Sequence, residues 1–139
     1  ADARTRVVYC PRASAYFGAE RHFGPHRYRD MLAAGIEVAL GTDSVINLPS
    51  GVLDEAGLGL GTLDEARFLH ARDGTDPDTL VRMITTHGSR VLGFDDDLVT
   101  LAEGSTPLGV LAIPASGTGS PAKRVLCSDA APEFLLGRN

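Results

Sequence analysis

Two short apolar runs with one helical pattern between them constrain this chain more than any other feature. Val7-Val8-Tyr9-Cys10 is apolar and β-prone, and Pro11, which cannot donate to a ladder, stops it. Ile36, Val38, Ala39 and Leu40 make the second run, closed by Gly41-Thr42-Asp43-Ser44. Between them Pro25 suits a first helical position. Tyr28, Met31 and Leu32 then fall at i, i+3 and i+4, and Gly35 supplies a C-terminal stop. Strand, helix, strand is a βαβ unit, which implies parallel strands and a right-handed crossover. Residues 12–23, with small and aromatic side chains, Gly18 and mixed charges, are expected to form a loop at a pocket mouth.

Beyond this unit, residues 45–61 form a Gly- and Pro-bearing loop, and a helix is expected from about Thr62 to Arg72. Thr62 with Glu65 three residues on fits a capping box. Asp76-Pro77 opens another helix, Asp as N-cap and Pro at the first position. Leu80, Met83, Ile84 and His87 fall on one face of it, and Gly88 interrupts the pattern. After Gly93 and the solvated run Asp95-Asp96-Asp97 the pattern turns to β: residues 98–101, 110–113, 125–128 and 134–136 are expected strands, with a flexible loop at 115–123. The shift divides the chain into an α/β part, residues 1–94, and a β-rich tail, residues 95–139.

Composition narrows the function. Lys+Arg 13 against Asp+Glu 18 leaves a net charge of −5, which argues against nucleic acid or an anionic membrane as partner. No apolar run approaches the roughly 20 residues of a spanning helix, and residues 1–10 do not show the charged-then-apolar pattern expected of a signal segment. Cys10 and Cys127 are too few for a disulfide scaffold, so a reduced, cytoplasmic setting is expected. The chain opens Ala1-Asp2-Ala3 without Met and enters its first strand by Val7, which leads us to expect a fragment of something larger.

Asp43 carries the strongest chemical signal. A parallel strand is buried on both faces, and its C-terminal end delivers the next polar residues to the rim where barrel enzymes keep their active sites. A carboxylate there can ligate a metal or relay a proton to or from metal-bound water. An Asp that merely caps the following turn is the ordinary alternative. Arg12, directly after the first strand, can meet an anionic substrate group or pair structurally with an Asp or Glu. His22 and His26 line a substrate mouth or are solvated loop histidines. For His87 a core histidine bonded to backbone is favoured over a ligand. Cys10 is favoured as a small core residue over a nucleophile. Glu65 and Arg67 suit helix-surface or packing ion pairs. The run of residues 95–97 lacks the spacing and the Gly of an EF-hand loop.

Several segments, taken in order, resemble the amidohydrolase superfamily. Val8-Tyr9-Cys10-Pro11-Arg12-Ala13-Ser14 is similar to its HCPxSN strand, and Leu40-Gly41-Thr42-Asp43-Ser44 to its LGTDS strand. Leu63-Asp64-Glu65-Ala66-Arg67 resembles the EMR helix that follows. The segment from Thr85 to Gly93 and the closing Leu135-Leu136-Gly137-Arg138 resemble further family segments. The nucleobase deaminase and chlorohydrolase branch is the most similar.

The resemblance implies a distorted (β/α)8 barrel with a small β-sandwich built from both chain ends. Residues 1–94 would hold barrel strands seven and eight, and residues 95–139 would return to the sandwich. It implies that Asp43 is a ligand of zinc or iron and a proton shuttle, and that Arg12, Ser14 and Ser44 face substrate, Ser14 standing where the family has Asn. The implied parent reaction is hydrolytic deamination of a cyclic, nucleobase-like C–N bond in a small molecule by metal-bound hydroxide. The four histidines contain no His-x-His pair, and one carboxylate cannot hold a metal that takes about three protein ligands. This chain alone is therefore expected to be inactive, its edges covered by the missing N-terminal barrel segment or by other copies of itself. Two alternatives stay open: a chlorohydrolase or amide-ring hydrolase of the same superfamily, and a non-catalytic, self-associating α/β module.

Overall fold

The computed structural model describes residues 5–47 and 61–137. Strand β1 (Arg6–Tyr9) pairs in parallel with β2 (Glu37–Leu40), placing Val7 beside Val38 and Tyr9 beside Leu40. The connection between them carries three short helices: α1 (Pro11–Tyr16), α2 (Ala19–Phe23) and α3 (Tyr28–Ala33). The expected βαβ unit is thus present, but the expected loop at residues 12–23 is helical. Pro11 both ends the strand and opens α1, because its missing N–H costs nothing in a first turn. Gly18, at φ +65°, separates α1 from α2.

Helix α4 (Thr62–Asp73) begins one residue earlier than its capping signal suggested. Gly61 is the N-cap, and the Asp64 carboxylate, not Glu65, accepts the Gly61 N–H at 3.1 Å. Helix α5 (Pro77–Ile84) starts as expected: the Asp76 side chain accepts the Thr79 N–H at 2.8 Å, with Pro77 at the first position. The pattern through His87 is broken at Thr85 (φ −119°, ψ −94°), where α6 (Thr86–Val91) sets off separately. His87 still turns inward, and its Nδ1–H donates to the Val38 carbonyl at 3.0 Å, the core role expected of it.

Tyr9, Val38, Leu40, Tyr28, Ala66, Leu69, Leu80 and Met83 form the core between the strand pair and its helices. The opposite face of the pair is less covered: Val8 is 52 % exposed. Among the described residues the tail contains one antiparallel pair, β3 (Gly109–Ala112) with β4 (Glu133–Gly137). Two expected strands are absent. Residues 96–98 form a 3₁₀ turn, and α7 (Pro121–Leu126) occupies the start of the expected strand at 125–128. Ser120 caps α7 by accepting the Lys123 N–H, and Pro121 follows it, the same device as Asp76-Pro77. Leu126 enters the core beside α4 and α5. Among the described residues no helix is long and apolar enough to cross a membrane.

Candidate functional site

Because β1 and β2 run in parallel, the residues after each emerge at the same end. Gly41 N–H extends the ladder to the Tyr9 carbonyl at 2.9 Å. A Cβ on Gly41 would lie 2.7 Å from Val8 Cγ1 and 3.1 Å from Cys10 Sγ, so the two segments approach as closely as a glycine permits. Asp43 follows with φ +61°, the one non-glycine residue at positive φ among the described residues. Aspartate tolerates this left-handed conformation better than most side chains. The turn leaves its carboxylate exposed at the rim. Ser44 is exposed beside it, its Oγ accepting the Ile46 N–H at 3.4 Å. The residues expected at 48–60 lie outside the described part.

Arg12 and Ser14 sit in the first turn of α1, Ser14 half-buried with its N–H on the Cys10 carbonyl at 3.0 Å. Arg12 is gripped from α4. Glu65 Oε1 accepts its Nε–H at 2.6 Å and Oε2 accepts its backbone N–H at 3.1 Å. The Glu65 side chain is fully buried. The structural pairing weighed for Arg12 is therefore made, and the surface role weighed for Glu65 gives way to a buried one. The sequence signal was faint: Glu65 lies four residues before Leu69 on the face that also carries Ala66.

Cys10 lies between these groups. Burial pushes its thiol pKa up, the negative charges of Asp43 and Glu65 add to this, and a hydrogen bond from the Asp43 backbone works the other way. The thiol is thus poorly nucleophilic, in keeping with a packing role. The histidines do not converge on the rim. His26 stacks on Tyr9 with ring centroids 3.8 Å apart, its pKa lowered by burial and then by Arg72. His22 is exposed beside Phe23. His70 Nδ1–H donates to the Thr75 carbonyl.

Among the described residues no three His, Cys, Asp or Glu side chains gather closely enough to hold a metal ion. Asp43 stands there as one carboxylate without a cage. A concavity of about 1000 Å³ lies at the other end of the strands, near Arg6, Glu37, Arg90 and Asp96. These four make an ion chain: Glu37 meets Arg6 at 3.0 Å and Arg90 at 2.7 Å, and Arg90 also meets Asp96. Every charge in it already has a partner, which suits a clamp better than a substrate site.

The amidohydrolase family matches residues 2–108 of the chain. Aminodeoxyfutalosine deaminase of Deinococcus radiodurans is 36% identical over 94 residues, covering 67% of this chain and 19% of that protein. The 5-methylthioadenosine/S-adenosylhomocysteine deaminase of Haloarcula marismortui is 29% identical over 100 residues, covering 68% of this chain and 21% of that protein. The chain thus spans about a fifth of the length of the curated relatives it matches. No solved structure matches it.

Proposed function

The chain belongs to the amidohydrolase family, and on that premise we propose that it is one segment of a longer hydrolase that deaminates a cyclic, nucleobase-like C–N bond in a small molecule. In this reading β1 and β2 are the last two strands of a (β/α)8 barrel, with residues 1–94 in the barrel and 95–139 in a composite β-sandwich. The remaining barrel strands cover the open face marked by Val8. The two relatives whose names are deaminases support the reaction class. One observation carries the proposal: Asp43, in a left-handed turn, is delivered exposed to the C-terminal end of a parallel strand, the end at which barrel enzymes work.

Asp43 is then the group through which this segment acts. Its carboxylate takes or gives a proton at the reacting carbon's substituents, a role worth about 10²–10⁴ in rate for a positioned acid or base. Ser44 and Ser14 lie on the flanking turns as candidate substrate contacts, while Arg12, the third candidate, is given over to structural pairing with Glu65. Zinc or iron is the metal implied for the whole protein. The described residues do not fit a metal by themselves, because they bring one carboxylate and no cluster of three. The segment alone is inactive in this account, and the rest of the barrel is its partner. The test is ammonia release by the full-length protein that carries this chain. Asp43→Asn lowers kcat at least about 100-fold with an unchanged melting temperature. Activity within twofold of the parent would remove Asp43 from the reaction.

A further inference from the structure

We propose that Glu65 is a positioning residue for the reaction centre: from α4 its carboxylate fixes the turn that ends β1, and through that turn the loop bearing Asp43. The proposal rests on the reading of Asp43 given above. Glu65 and Arg12 are 53 residues apart in sequence, yet both carboxylate oxygens of Glu65 are spent on this one residue. One of the two bonds is to the Arg12 backbone N–H, so the grip is on the main chain as well as on a side chain. Adhesion alone does not explain the pair. A buried ion pair replaced by well-packed apolar residues is often neutral or better for stability, so what it supplies is fixed geometry.

The geometry leads to Asp43 through contacts already described. Arg12 is two residues from Cys10. The Cys10 thiol feels both the Glu65 and the Asp43 carboxylates and is hydrogen-bonded from the Asp43 backbone. It also packs against Gly41, where no Cβ fits. Movement of the Cys10-Pro11-Arg12 turn therefore shifts the neighbours of Gly41 and Asp43. Glu65 touches no exposed surface, so substrate does not meet it.

The experiment uses the full-length protein and two readouts. Glu65→Gln lowers kcat about 10- to 100-fold, the scale of a small misplacement, while KM stays within about twofold because substrate contacts are intact. Arg12→Gln combined with Glu65→Gln is no worse than the more severe single change, since the two act as a unit. Independently, iodoacetamide alkylation of Cys10 in Glu65→Asp, which keeps the negative charge near the thiol but shortens its reach, rises about fivefold or more as the turn loosens, read by mass spectrometry with exposed Cys127 as internal reference. If Glu65→Gln does not fold, Glu65→Asp serves for the kinetics as well, with kcat down severalfold and KM unchanged. Wild-type kcat in either folded variant, a matched rise in KM, or unchanged Cys10 alkylation in folded Glu65→Asp would each overturn the assignment. A parent protein that releases no ammonia defeats the functional reading instead, and the alkylation readout then decides Glu65 by itself.

Discussion

The two ends of the β1–β2 pair are both held by arginine–carboxylate contacts, but of opposite kinds. At the start of the strands Arg6, Glu37, Arg90 and Asp96 form a half-exposed chain in which each charge is within reach of water. At the finish the Arg12–Glu65 pair is almost wholly buried. Exposed pairs contribute little and are screened by salt, whereas a buried pair cannot lose one member without leaving a stranded charge. The difference teaches that the molecule tolerates change at one end and demands exact partners at the end that carries Asp43.

Breaking the buried pair gives the largest expected effect. Glu65→Ala removes the carboxylate that holds the Arg12 Nε and backbone N–H and lowers unfolding free energy by about 3–5 kcal/mol, read by urea denaturation. Gly41→Ala, at the same end, drives a Cβ against Val8 and Cys10 and costs about 1–3 kcal/mol, read in the same way. Ser120→Ala, in the tail helix, removes a cap and costs about 1 kcal/mol. At the exposed end Glu37→Gln costs less than about 1 kcal/mol, shrinking further in high salt.

The exposed end also sharpens the comparison through pH. The hydrogen bond from Arg90 holds the Glu37 carboxyl below its ordinary value, with Arg6 assisting against a small desolvation cost. A carboxyl lowered in the folded state stabilises above its unfolded pKa, and that contribution disappears as pH falls through the folded value. Acid unfolding of Glu37→Gln therefore loses part of its pH dependence below the usual carboxylate range, and the difference from the parent narrows as salt is added.

Local signals made much of the strand pair legible. Val7 to Cys10 and Ile36 to Leu40 announced strands by apolar β-prone runs, and the residues after Leu40 placed Asp43 at a strand end. Asp76-Pro77 announced a helix because cap and first position are adjacent. The identical logic in Ser120-Pro121 is masked by the Gly- and Ser-rich residues before it, so that Val125, which lies in α7, reads locally as the start of a strand. Pro11 signals a strand stop, and the helix it also opens is hinted at only by the small residues Ala13 and Ala15 after it. The Glu65–Arg12 grip depends on tertiary approach across 53 residues, which no local spacing encodes. The tail shows the same limit from the other side. Phe134 is 79 % exposed on β4, so its pattern alone did not say what lies against it.

The most direct measurement is a crystal structure of the full-length protein with a nucleobase-like substrate analogue bound. The account places the Asp43 carboxylate within hydrogen-bond reach, about 2.6–3.2 Å, of the analogue's C–N group or of one bridging water. An Asp43 turned away from the analogue, with no oxygen within about 4 Å of it or of such a water, contradicts it.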